Sequence, residues 1–252
     1  MDEKELLISK IRDLDKISYD RDITKCTGFL TMNEQSLYLD MVRDLNCRNS
    51  FLYGGHEDAD RAMLIFPASY ADKENAVGAL MSCIRVLPVD ARFADDLNHR
   101  DFLGALMNLG IERYCLGDIL VNESTAYIYC IAEMTDFIIE NLTRVKHTDV
   151  KCDKVGLDEC EIVPMFDEVR VNVASERIDA VVAAVYNVSR TVASRLITSE
   201  YVFINGHVAK NAGVKVQEGA RISVRNHGKF IYCGIEGTTK KQRLYVVIKK
   251  YV

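Results

Sequence analysis

The chain has 252 residues, 48% of them hydrophobic, enough to bury one large core or two to three small ones. A formal net charge of −5, taken over the whole length, argues against a nucleic-acid binder. The opening MDEKELLISKIRDLDK is too charged for a secretory signal, and no apolar run approaches the ~20 residues that cross a bilayer, so a cytoplasmic protein without membrane association is expected. The eight cysteines contain no C-x-x-C and no zinc-like spacing, which predicts reduced thiols and neither a metal nor an organic cofactor.

The average charge hides an asymmetry. Of 32 basic and 37 acidic residues, 14 and 7 fall from Phe166 onward, a net of +7; the other 18 and 30 give −12 for residues 1–165. Such a contrast suggests a polyanion-binding module attached to something else.

Residues 2–46 read as helices, with one stripe of Leu6, Leu7, Ile11 and Leu14 and a less regular one of Leu37, Leu39, Met41, Val42 and Leu45. Candidate strands follow at 50–53 and 62–66, separated by GGHEDAD, whose glycines suit a turn and whose His and acids make a solvated loop a better reading than a metal site. Together these elements predict a small α/β domain over residues 1–75.

The next stretch alternates: strand 84–89, helix 99–109, strands 116–121 and 126–131, helix 134–142, strand 144–152. The order βαββαβ predicts a ferredoxin-like middle domain over residues 76–165, an antiparallel sheet with both helices on one face. Tyr127 and Tyr129 share one side of a strand and could stack bases, although the aromatic signature of an RNA-recognition motif is missing. His99-Arg100-Asp101 repeats the triplet of the protein-kinase catalytic loop. That loop needs an Asn five residues after the Asp, and Leu106 stands there; no D-F-G and no glycine-rich phosphate loop is found either. Asp101 is instead expected at the start of a helix whose Phe102, Leu103, Leu106, Met107 and Leu109 form its apolar face and which Gly110 ends. Residues 151–164 read as a linker.

A basic domain is predicted over residues 166–252, and the fold class as a whole is α+β. Ser175 can cap one helix, with Ile178, Val181, Val182 and Val185 inward, and Ser189 a second, with Val188, Val192, Leu196 and Ile197 inward. On the other side of the second helix Arg190 and Ser194, then Thr191 and Arg195, stand four residues apart. Asn205-Gly206 is a strong hairpin signal, and the strand from Arg221 places Ile222 and Val224 in and Arg221, Ser223 and Arg225 out. Arg190, beside a helix N-terminus, can grip phosphate together with Ser189 and backbone N–H groups. Arg177 could do the same or be held by Asp179.

The pattern R-I-D…S-R-x-x-A-x-x-L-I…V-x-I-N-G…E-G-x-x-I-S-V-R resembles the RNA-binding domain first described in small-subunit ribosomal protein four. The blocks HRDFLGALMNLGIERYCLGDILV and GTTKKQRLYVVIKKY resemble the YlmH family over most of residues 60–252, with Tyr114 and Cys115 where charged residues are expected. The resemblance implies a non-catalytic, ribosome-associated RNA-binding factor, related to RqcP and heat-shock protein fifteen-like proteins. Such a factor would engage large-subunit rRNA and the peptidyl-tRNA of stalled complexes in rescue and quality control, here as a monomer. It implies that Arg177 and Arg190 match the family's basic positions. Ser189, Thr191, Arg195, Asn205, Lys210, Arg225 and Lys229 complete the candidate RNA-binding set. Two other readings stay open: an RNA-modifying enzyme with an unrecognised catalytic domain, which a strongly perturbed carboxylate or Cys in a deep cleft of residues 60–165 would support, and an interaction adaptor linked to cell division.

Overall fold

The computed structural model describes residues 3–251 except 48, 58, 161, 163–165, 240 and 241. Helices and antiparallel sheets in an α+β arrangement form two compact units, Met1–Val163 and Pro164–Val252.

The first unit runs α1 (Glu3–Arg21), β1 (Lys25–Leu30), α2 (Met32–Met41), β2 (Phe51–Tyr53), β3 (Ala62–Phe66), α3 (Lys73–Gly78), β4 (Met81–Pro88), α4 (His99–Asn108), β5 (Leu116–Asn122), β6 (Thr125–Ile131), α5 (Thr135–Asn141), β7 (Arg144–Val145) and β8 (Thr148–Val155). The reading of residues 2–46 as helices alone is corrected by β1, a strand between the two helices that pairs antiparallel with β3 in a sheet of order β1-β3-β2. Leu6 of the expected stripe is 57% exposed. The buried side of α1 is instead Ile11, Asp15 and Ser18, flanked by Leu7 and Leu14. Asp15 earns its buried place by accepting from the backbone N–H groups of Asn46 (2.9 Å) and Cys47 (2.8 Å), which anchors the chain after α2. At the start of α2, Thr31 and Glu34 form a capping box.

Strands β4, β5, β6 and β8 stand in the order β5-β6-β4-β8, all antiparallel, with α4 after the first of them and α5 after the third. That is the ferredoxin-like order, with β7 added at one edge. Phe102 and Leu106 of α4 and Ile138 of α5 pack on Ile84, Val86, Ile119 and Ile128, so both helices cover one face. The other face carries Met81, Cys83, Tyr127 and Tyr129, and Phe29, Met63 and Ile65 of the N-terminal sheet close over it. Tyr127 and Tyr129 are therefore 2% and 0% exposed and cannot stack bases, which corrects that expectation. The linker expected from residue 151 is also corrected, because Lys151–Val155 completes β8 and pairs with Cys83–Leu87.

GGHEDAD is a loop, exposed at Glu57 and Asp60, that its glycines and His56 fasten down as a clasp. Gly55 adopts φ +97, and a Cβ there would lie 2.2 Å from the Tyr129 ring, so only glycine permits this approach. His56 contacts Asp118 at 3.1 Å, and the backbone N–H groups of Asp60 and Arg61 donate to the same carboxylate at 2.7 and 3.1 Å. The Arg61 guanidinium donates to the carbonyls of Phe29 (2.6 Å) and Leu116 (3.0 Å), and Arg113 donates to Leu116 at 2.7 Å. Burial, with Arg61 nearby, pushes Arg113 down to about 10. Asp58 of this stretch lies outside the described residues.

Asp101 sits where the helix start was expected. Its carboxylate accepts from the Asn98 N–H at 2.9 Å, Asn98 accepts from Arg100 at 2.9 Å, and the Lys146 ammonium stands 2.8 Å away. The Lys146 and Asn98 contacts hold the Asp101 carboxyl below the usual carboxylate range.

The second unit runs β9 (Phe166–Val173), α6 (Ile178–Val185), α7 (Arg190–Thr198), β10 (Val202–Ile204), β11 (His207–Val208), β12 (Arg221–Val224), β13 (Gly228–Thr238) and β14 (Leu244–Tyr251). Its six strands form one antiparallel sheet of order β11-β10-β12-β13-β14-β9. Ile178, Val181 and Val182 of α6 and Ala193 and Ile197 of α7 pack on Ile222, Val224, Phe230, Val246 and Ile248 of the sheet.

Candidate nucleic-acid interface

Two short helices stand on one face of this sheet, and their starts are built differently. The N-cap of α6 is Arg177, with no side-chain cap, which corrects the assignment to Ser175. The N–H groups of Ile178 and Asp179 are satisfied instead by the carbonyls of Val214 (2.8 Å) and Ala212 (3.3 Å), so the segment after β11 folds back over the helix start. In α7 Ser189 is the N-cap, and its Oγ accepts from the Val192 N–H at 3.2 Å. The inward face of α7 differs from expectation: Ala193 and Ile197 are buried, Val188 and Leu196 lie partly buried beside them, and Val192 is 38% exposed. Ala193 takes the buried position on this face, and its neighbour Val192, about 100° round the helix, is turned outward.

Asp179, 4% exposed, is the centre of the site. Arg190 donates to its Oδ2 through Nη2, and Arg177 donates to both oxygens at 3.2 and 3.3 Å. Burial pushes the Asp179 carboxyl up, and the two guanidiniums outweigh it, leaving it below the usual range. One carboxylate thus holds two arginines, each about half exposed (49% and 51%), with a local charge of +1 and N–H donors beyond those spent on Asp179. The Arg177 guanidinium also lies about 3.7 Å from where a Cβ on Gly213 would stand. Next to it Lys215 pairs with Glu176 at 2.7 Å, and the Tyr232 hydroxyl donates to Glu176 at 2.9 Å. Lys215 holds the Glu176 carboxyl down, while burial pushes the Tyr232 phenol up.

Of the other candidates, Thr191 and Arg195 are exposed on the same helix as Arg190, and Lys210 is exposed after β11. Asn205 has φ 50 and Gly206 φ 83, the positive pair an Asn-Gly hairpin needs, and the Asn205 Oδ1 accepts from the Arg221 N–H at 2.8 Å, so its geometry serves the turn. Arg225 and Lys229 lie elsewhere. Phe230 points to the helices, so its neighbour Lys229 points away and stands over the Tyr251 ring (5.9 Å), while Arg225, in the turn after β12, stands over the Tyr201 ring (5.4 Å). The helices therefore gather Arg177, Ser189, Arg190, Thr191 and Arg195, while β13 and the turn before it carry Lys229 and Arg225. The sequence points to Asp179 only as a partner for Arg177. That it also holds Arg190, eleven positions on, leaves no local spacing signal.

The family model described as "Putative RNA-binding domain in YlmH" matches residues 85–159, and that of the S4 domain matches residues 176–222. The chain is 30% identical over 230 residues to the Ribosome-associated protein quality control protein P2 of Bacillus subtilis, covering 90% of this chain and 87% of that protein. A solved structure of the cell division protein ylmH from Streptococcus pneumoniae aligns with a TM-score of 0.49 at 20% identity, covering 64% of this chain and 95% of the other.

Proposed function

This chain belongs to the YlmH family of RNA-binding proteins, and from that premise we propose that it is a non-catalytic, ribosome-associated factor that engages large-subunit rRNA and the peptidyl-tRNA of stalled complexes. The observation that carries the reading is the buried Asp179 with Arg177 and Arg190 fixed on either side of it. A free arginine loses about 2 kcal/mol of rotamer entropy when it docks. These two are oriented before RNA arrives, and each keeps donors for phosphate oxygens. The first turn of α7 adds backbone N–H groups and the positive end of its dipole beside Arg190. The relative from Bacillus subtilis carries ribosome-associated quality control in its name, which supports placing this chain on ribosomes.

The enzyme alternative draws no support from the buried thiols. Burial pushes Cys83, Cys130 and Cys152 up to about 12, away from the thiolate a nucleophile needs. Asp101 is held by Asn98 and Lys146 in a helix cap.

Sedimentation of the full-length protein with separated ribosomal subunits tests the proposal. It should travel with large subunits carrying peptidyl-tRNA, and log affinity should fall with log salt by about 0.7 to 0.9 for each phosphate contact. Equal distribution between subunits, or a flat salt response, would refute it.

A further inference from the structure

Resting on that RNA-binding reading and extending it, we infer that the face of the β13-β14-β9 sheet turned away from the helices is a second RNA contact, one that takes an unpaired strand. The first observation is where the positive charge lies. Residues 176–222, the part matched by the S4 domain, carry six Lys/Arg against four Asp/Glu, whereas residues 223–252 carry seven against one. Within the matched part Arg177 and Arg190 share Asp179, and Lys215 is paired with Glu176. Most of the positive excess in the sequence of this unit therefore falls after the matched domain.

The second observation is how those strands present it. Val246 and Ile248 point into the core beneath the helices, so the alternating Tyr245, Val247 and Lys249 face the other way, opposite Asn172, Arg170 and Glu168 of β9. Tyr245 is 43% exposed, and Lys249 and Arg170 are exposed beside it. Arg243 donates through Nε to the Asn172 Oδ1 at 2.8 Å and through Nη2 to the Asn172 carbonyl at 3.0 Å, which fixes β14 to β9 next to the tyrosine. Arg170 reaches Glu236 at 2.7 Å. An exposed ring on a sheet between Arg243, Arg170 and Lys249, which Glu236 and Glu168 only partly offset, suits a base stacked on the ring with its phosphates on the flanking side chains. A duplex keeps its bases inside and cannot use the ring, so the arrangement selects an unpaired segment.

Binding of the full-length protein to two probes, a labelled oligouridylate and a fully paired RNA duplex, tests the inference, with melting temperature measured alongside. Tyr245→Ala should weaken oligouridylate binding by about five- to hundredfold and change duplex binding by no more than about twofold, while Tyr245→Phe, which keeps the ring, stays near wild type. Lys249→Gln should lower the oligouridylate salt slope by about 0.7. Arg190→Ala should show the opposite preference, losing the duplex more than the single strand. Wild-type oligouridylate affinity in both Tyr245→Ala and Lys249→Gln would overturn the inference, as would a loss on both probes that tracks a lowered melting temperature. If the wild type binds the duplex but not oligouridylate, the sheet face alone is wrong; if it binds neither RNA nor ribosomes, the proposed function fails instead.

Discussion

Replacing Asp179 by Asn removes the charge that both arginines share while keeping the side chain's size. Asp179 accepts one hydrogen bond from Arg190 and two, at 3.2 and 3.3 Å, from Arg177. A well-made bond to a charged group is worth about 1.5–3 kcal/mol, but the two bonds from Arg177 are long and both guanidiniums are about half exposed, so water recovers part of each loss. The expected cost at neutral pH is about 2–3 kcal/mol to the C-terminal unit, a fall in its melting transition of about 10 °C or more for a domain of this size. The pH dependence has a definite sign. The native Asp179 carboxyl is held below its unfolded value of about 3.9, so its contribution is complete above that pH and is lost as pH falls through the native value; wild type and Asn variant should converge in acid. RNA affinity separates two roles for Asp179. If it merely cancels charge, the variant gains one positive charge and binds RNA more tightly with a steeper salt slope; if it positions the arginines, affinity falls severalfold despite the gained charge. Urea titrations at neutral and acid pH, paired with RNA titrations at several salt concentrations, give both answers. A variant as stable as wild type at neutral pH, or one that binds RNA more tightly, would refute the positioning argument.

Arg190→Ala should weaken RNA affinity by about ten- to hundredfold, and Arg190→Lys should restore only part, because an ammonium lacks the two-pronged contact. Since Arg177 remains on Asp179, the Ala variant should lose only modest stability, whereas removing both arginines strands a buried carboxylate and should cost more than the two single changes added together, as a double-mutant cycle by denaturant titration will show. Asp101→Asn should lower the melting temperature of the first unit slightly and leave RNA binding untouched, which thermal scans and filter binding check side by side. Gly104→Ala on α4, where an added Cβ meets nothing within 4 Å, should stabilise by about 0.5–1 kcal/mol, whereas Gly55→Ala, at φ +97 and 2.2 Å from the Tyr129 ring, should destabilise the first unit severely; paired urea curves decide both.

The features readable in the sequence were those whose causes lie within one turn of helix or one hairpin. Asp101 before Phe102, Ser189 before Val192, and Asn205-Gly206 between two strands each close a hydrogen-bond circuit locally, so residue order alone places them. The βαββαβ alternation was legible because its helical and strand periods switch cleanly, and the basic C-terminal part needed only counting. What the tertiary structure decided depended on partners far away in the chain. Strand β1 is a strand because β3, some 35 residues later, pairs with it. Tyr127 and Tyr129 alternate as an exposed stacking face would, and they are buried because Phe29, Met63 and Ile65 cover that side. GGHEDAD has the composition of a loop, yet Asp118 and the Tyr129 ring close it into a clasp. Val192 is turned outward because Ala193 and Ile197 face the core of the unit. Arg177 and Arg190 became one site only when the fold brought both to Asp179, since a carboxylate buried away from water must find its charges wherever the chain can deliver them.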